Sequence, residues 1–241
     1  MIVQACLNGD RPAGYHPRLP VTPSAIVADA VAAVAAGAAE LHLHARDAEG
    51  RETLAPDVVD PLVATLRARL PGTLIGLSTG AWIERDEDRR LACIGAWRQC
   101  PDHVSVNLSE AGAPAVIERL LRQGIGVEAG LTTVANAERL HMLGLGGRAL
   151  RILIEIAEPE PAAALAAAED IEVVLARAGL ARPILLHGEN ATVWPLVHRA
   201  AERRFSTRVG LEDGQTLPDG TVAADNAALI RAALRVFGGW A

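Results

Sequence analysis

Strict alternation of eight short β-type runs with eight helical stretches is the feature of this 241-residue chain that most narrows what it can fold into. The β-type runs are Ile2 to Asn8, Ala39 to Ala45, Leu74 to Thr79, His103 to Leu108, Gly126 to Gly130, Leu150 to Ile156, Pro183 to His187 and Thr207 to Leu211. Between them lie the helical patterns Pro23 to Ala36, Pro56 to Leu70, Asp86 to Gln99, Pro114 to Gln123, Val134 to Leu143, Pro161 to Ala178, Thr192 to Arg203 and Ala223 to Phe237. Start signals such as Thr22-Pro23-Ser24, and glycines at positions 37, 124 and 179 where helices should stop, support the division. Strands separated by helices require right-handed parallel crossovers, and eight such units in about 250 residues is the usual size of a closed barrel. The expectation is an α/β chain forming one (β/α)8 TIM barrel domain over residues 1–241. An open doubly wound sheet fits less well, because no G-x-G-x-x-G turn follows the first strand. Gly144-Leu145-Gly146-Gly147 precedes a strand instead of opening a helix, so it reads as an ordinary turn.

Composition removes several chemistries. All 23 basic side chains are arginine, with no lysine anywhere. Schiff-base aldolases, pyridoxal-phosphate enzymes and P-loop nucleotide hydrolases each need a lysine amine, so none is possible in its usual form. A net charge of −6 and 3% aromatic residues provide no basic or stacking surface for nucleic acid. Three cysteines, Cys6, Cys93 and Cys100, form no C-x-x-C pair and read as buried thiols in a reducing compartment. The N-terminus lacks a basic leader. The longest apolar stretches, near Val31 to Ala39 and Ala162 to Ala168, fall far short of the roughly 20 residues that cross a bilayer. A cytoplasmic chain with no membrane partner is expected.

Chemistry in such barrels gathers at the C-terminal ends of the strands. There the sequence offers Asn8-Gly9-Asp10, His42 and His44, Ser78-Thr79, Asn107 and Ser109, Glu128, Glu155, His187-Gly188-Glu189, and Arg208 through Glu212-Asp213. Alternate strand residues point the same way, so His42 and His44 share a face, about 7 Å apart along the strand. Two neutral imidazoles so placed can converge on zinc or a related ion; two core histidines satisfied by neighbours is the other reading. On the last strand Arg208, Gly210 and Glu212 should share one face beside the first strand, within reach of the second. A metal plus an ion pair would account for the buried charges there, as would a structural salt bridge. A set of His42, His44 and Glu212 leaves coordination positions open for substrate. Glu128, flanked by small residues in Gly126 to Gly130, suggests approach by a ligand or close packing. Glu155 and His187 read as supporting partners, and His16, His103, His141 and His198 as surface residues.

These pieces together resemble the β-keto acid cleavage enzymes, the 3-keto-5-aminohexanoate cleavage enzyme-like family. The resemblance runs through most of the chain: LNGD at residues 7–10, the helix opened by Thr22-Pro23, AGAAELHLHARD at 36–47, LSTG at 77–80, VSVNLSE at 104–110, GVEAGL at 126–131, and RVGLED at 208–213 with its LPDG and ADNA sequel. It implies a (β/α)8 barrel binding a divalent ion, usually Zn2+, through His42, His44 and Glu212. It further implies an Arg208–Asp213 dyad that activates substrate, with Asp213 the general base and Glu128 supporting the dyad. Ser78 with Ser105 or Asn107 would hold the β-keto acid, and Asp10 stands where one branch of the family recognises an amino head group. The implied reaction is a Claisen-type exchange in which a β-keto acid and acetyl-CoA yield acetoacetate and a new acyl-CoA. A homo-oligomer is expected.

This chain is shorter than typical family members, with tight loops after several strands. Water as the second substrate is the alternative to the thioester. Two other readings stand beside this one. A metal-dependent hydrolase of the amidohydrolase type also uses H-x-H in a barrel, but usually after the first strand and with a lysine. A non-catalytic, metal-dependent metabolite-binding barrel would use the same ligands without turnover.

Overall fold

The computed structural model describes residues 1–238, so the last three positions of the expected 1–241 domain lie outside the described residues. Eight strands are described: β1 (Val3–Cys6), β2 (Glu40–Leu43), β3 (Leu74–Ser78), β4 (His103–Asn107), β5 (Gly126–Leu131), β6 (Arg151–Ile156), β7 (Ile184–Gly188) and β8 (Ser206–Val209). They alternate with α1 (Pro23–Ala35), α2 (Pro56–Arg69), α3 (Glu87–Ala96), α4 (Ala113–Arg122), α5 (Val134–Met142), α6 (Pro161–Arg177), α7 (Val193–Glu202) and α8 (Asn226–Gly238). Every neighbouring pair is parallel, and β1 hydrogen-bonds to both β2 and β8, closing the expected (β/α)8 barrel. Its helices start as the sequence indicates. Thr22 Oγ1 accepts the Ala25 N–H at α1, Asp86 accepts that of Arg89 at α3, and Thr133 accepts that of Asn136 at α5. None of the described helices is long and apolar enough to cross a membrane.

The apolar core is a sleeve between sheet and helices, built from outward-facing strand residues such as Ala5, Leu41, Leu43, Ile75, Val104 and Val127 against Ile26, Leu66, Ile94, Ile117 and Leu140. Their alternates point into the barrel. Barrel interiors usually carry layers of branched aliphatic side chains. Here Gln4, Glu40, His103, Glu128 and Arg151 fill much of that space and are all buried. Arg151 bonds Glu40, and its Nε lies 2.9 Å from Glu128 Oε1. Gln4 Nε2 donates to Glu128 at 3.0 Å and Glu40 at 3.4 Å, while the His103 ring stands 3.5 and 3.6 Å from the same two carboxylates. Burial alone would keep Glu128 protonated, but His103 and Arg151 outweigh it and hold its carboxyl well below the usual range. Ion pairing lets this interior stay charged at all.

Several expectations change here. His103 is a fully buried member of this plug, because it points inward from the first residue of β4. His16 is also buried; its Nε2 stands 2.9 Å from the Ala223 carbonyl, and its Nδ1 accepts the Arg18 N–H. Cys93 and Cys100 are only partly buried, unlike Cys6. Finally, β8 stops at Val209, so Glu212 and Asp213 are delivered by a turn and not by the strand.

Candidate active site

The ends of β1, β2 and β8 are laced together by two asparagines. Asn8 Oδ1 accepts the His44 N–H at 2.9 Å, and its Nδ2 donates to the His44 carbonyl at 3.0 Å, which holds the second histidine of the pair beside β1. Asn226, at the start of α8, donates to the Leu7 carbonyl at 2.9 Å and accepts the Leu211 N–H at 2.7 Å. The turn carrying Glu212 thereby closes over β1. Two glycines permit the approach. A Cβ at Gly210 would sit 1.7 Å from the Cys6 carbonyl oxygen, and one at Gly9, where φ is +54°, would sit 2.5 Å from Glu212 Cγ.

Glu212 is thus brought against the histidine pair. Its Oε1 stands 3.6 Å from His42 Nε2 and 3.8 Å from His44 Nε2, and one ligand atom from each of the three residues lies within 4.8 Å of the others. Those gaps are too long for hydrogen bonds. They are near the roughly 3.4 Å that separates two ligands on a tetrahedral zinc with bonds of about 2.0–2.1 Å. Glu212 Oε2 is buried without a partner among the described residues. The donor set, its spacing and this orphaned oxygen fit a divalent cation.

Glu52 orients His44, the second histidine of the pair. The loop after β2 folds back through an antiparallel bridge between Arg46 and Glu52, with Asp47 accepting the Glu49 and Arg51 amides. Arg46 ties it to the carbonyls of Gly9, Arg11 and Gly50. Glu52 consequently bonds His44 Nδ1 and accepts the Trp82 indole N–H at 3.2 Å, leaving His44 Nε2 toward Glu212. Burial, with Arg208 and His44 nearby, holds the His42 imidazole well below its ordinary pKa, in the neutral form a cation needs. Burial acts the same way on His44, but Glu212 and Glu52 outweigh it and the pKa rises. Burial pushes the Glu212 carboxyl up to about 7.

Around this set lies a cavity of about 250 Å³. Nine of the ten expected site residues line it: Asp10, His42, His44, Ser78, Ser105, Asn107, Arg208, Glu212 and Asp213. Glu128 does not. It lies in the buried charged plug, where the register pairs it with Ser105 and Arg151. Arg208 and Asp213 make no direct ion pair either. Arg208 Nη2 bonds Glu155 Oε2 at 2.6 Å and stands 3.4 Å from Glu212 Oε1. Asp213 Oδ1 lies 3.1 Å from His187 Nδ1, and His187 Nε2 lies 3.1 Å from Glu155 Oε2. Burial and Arg208 disfavour a charged His187, yet Asp213 and Glu155, one on each ring nitrogen, raise its pKa to about 9. Burial likewise opposes ionisation of Glu155, but His187 and Arg208 bring its pKa down to about 2.

Sequence reasoning missed three residues here. Arg11 donates to the carbonyls of Glu212 at 2.8 Å and Asp213 at 3.3 Å, bracing the turn. Glu52 and Trp82 come from loops, where no period marks a functional position.

A family model described as beta-keto acid cleavage enzyme matches residues 1–239. Among solved structures, the chain is similar to ObcA in its binary complex with oxaloacetate and in its ternary complex with a C4-CoA adduct and oxalate. Each comparison has a TM-score of 0.76 and 19% identity over 93% of this chain and 64% of that one. A 3-dehydroquinate dehydratase from Geobacillus kaustophilus shares the fold at a TM-score of 0.63 and 13% identity, over 98% of this chain and 90% of that one. The chain therefore spans about 64% of the ObcA chains it matches.

Proposed function

The chain belongs to the beta-keto acid cleavage enzyme family, and from that membership we propose that it cleaves a small β-keto acid by Claisen-type exchange with acetyl-CoA, giving acetoacetate and a new acyl-CoA. The observation that carries this reading is the convergence of His42, His44 and Glu212 in a cavity that Asp213 and Arg208 also line. Oxaloacetate, the compound with ObcA in one of its structures, is a β-keto acid, and the other structure contains a C4-CoA adduct. They support a β-keto acid and a CoA compound as the partners of this site.

His42, His44 and Glu212 would hold the ion, Zn2+ or another divalent metal, which when bound supplies Lewis-acid polarisation of the keto acid's carbonyl oxygen. Asp213, which lines the cavity beside the three ligands, acts as general base. Arg208, whose Nη1 is buried and unpartnered, neutralises negative charge as it develops on the substrate. Ser78 at the end of β3, with Ser105 in the middle and Asn107 at the end of β4, hydrogen-bond the keto acid, and exposed Asp10 receives an amino group at the mouth. With no lysine in the chain, an iminium cannot stabilise the carbanion, which leaves that task to the ion and Arg208. Glu128 enters only through the buried plug. The active protein is a homo-oligomer in the cytoplasm.

The test is turnover of a panel of β-keto acids by metal-loaded protein, with and without acetyl-CoA. Acetoacetate formed only when both reactants are present supports the exchange. Cleavage without the thioester means that water is the second substrate, and binding without turnover overturns the enzymatic reading. Asp213→Asn should keep the metal and lose at least about 10²-fold in kcat. An unchanged rate would exclude Asp213 as the base.

A further inference from the structure

The acid and the cation expected to work as a dyad are separated by two side chains, and their order is specific. From β8 inward to the turn the sequence of groups is Arg208, Glu155, His187, Asp213, alternating in charge with contacts of 2.6, 3.1 and 3.1 Å. We infer that His187 is the positioning residue of Asp213, bridging it to the Glu155–Arg208 pair and fixing the orientation of its carboxylate at the cavity wall. The inference rests on the reading of Asp213 as the base.

Three observations carry it. First, the placement is built by the fold and does not depend on one flexible side chain. Register pairs Glu155 with His187 across β6 and β7, and the Asn190 N–H donates to the Asp213 carbonyl at 2.7 Å, tying the loop after β7 to the turn after β8. Second, all of His187, Arg208 and Asp213 are buried yet line the cavity, whereas a purely structural ion chain has no need to reach a cavity wall. Third, the contacts are asymmetric. Oδ1 of Asp213 faces the imidazole at 3.1 Å while Oδ2 is closed off from solvent, so the ring holds the carboxylate from one side.

The 3.1 Å approach of His187 Nδ1 to Asp213 is a charge contact and not an aligned hydrogen bond in the free protein. Such contacts commonly straighten when substrate binds. A carboxylate held on one oxygen by a cationic donor keeps its other lone pairs in one direction, which is the requirement for a base that must meet a single C–H or O–H. Glu155 serves two partners at once: Oε2 receives both Arg208 and His187, so moving the imidazole also releases the guanidinium.

The experiment is a double-mutant cycle on the metal-loaded full chain with the best keto acid of the panel. His187→Ala should lower kcat by about 10²-fold with KM changed by less than about threefold, and added imidazole should restore part of the rate. In the background of Asp213→Asn the same substitution should cost less than about threefold, because the group it positions is gone. Loss that is equal in both backgrounds, or a His187→Ala enzyme at wild-type kcat, overturns the inference while leaving Asp213 as base. A fully active Asp213→Asn overturns both. If His187→Ala does not fold, His187→Gln takes its place in the cycle. Independently of turnover, ¹⁵N-histidine NMR should show Asp213→Asn shifting mainly Nδ1 of His187 and Glu155→Gln mainly Nε2. Failure of either to move its own nitrogen also overturns it.

Discussion

Asp29, on α1, offers a stability test with a defined sign. Its carboxylate accepts the Asn226 Nδ2–H at 2.6 Å, the same asparagine that clamps the ends of β1 and β8. Burial raises its pKa from 3.8 to about 6, with Asp225 adding to the rise, against the opposing pull of Asn226 and Arg18. The folded state thus binds this proton more tightly than the unfolded chain. The cost is absent below about pH 4, grows between pH 4 and 6, and is complete above. About two powers of ten in proton affinity, at about 1.4 kcal/mol each, amount to about 3 kcal/mol. Asp29→Asn keeps an acceptor for Asn226 while removing the charge. It should therefore stabilise the protein by up to about 3 kcal/mol at pH 8, or about 6–12 °C in Tm for a chain of this size, and leave it nearly unchanged at pH 4. Urea unfolding followed by circular dichroism from pH 4 to 8 reads the difference directly. A gap between the two proteins that is constant with pH, or a variant less stable at pH 8, would refute the assignment of burial as the dominant cause.

Replacing His44 with alanine should lower bound metal and activity together; stoichiometric zinc in the variant, measured by mass spectrometry, would show that the ligand set is wrong. Glu52→Gln should weaken metal binding about 10- to 100-fold in chelator competition, since the orienting partner of His44 Nδ1 loses its charge. Glu128→Gln breaks buried ion contacts and should cost about 3–5 kcal/mol in chemical denaturation while leaving kcat of the folded fraction unchanged. A loss of rate without a loss of stability would return Glu128 to the active site.

How far the sequence could be read depends on what each residue's position obeys. His42 and His44 were legible because a strand's two-residue period places them on one face. The barrel was legible because alternating elements leave few topologies. Gly9 and Asn8 stood out in LNGD, and their reasons, the approach of Glu212 and the clamp on His44, are local to strand ends. His103 was misread as exposed, although it opens a strand, because whether an inward position is filled by charge or hydrocarbon depends on partners from other strands. Glu40, Glu128 and Arg151 supply those partners.

The order of elements, the shared face of the histidine pair and the exclusion of lysine chemistry are properties of the linear chain, set by period and composition. Which carboxylate meets which cation is a property of the closed barrel. Arg208 and Asp213 lie five positions apart, yet they are joined through Glu155 and His187 from two other strands. Charge contacts act over a few ångströms in space and carry no period along the chain, so the partner of a buried ion is settled only when β6, β7 and β8 stand side by side.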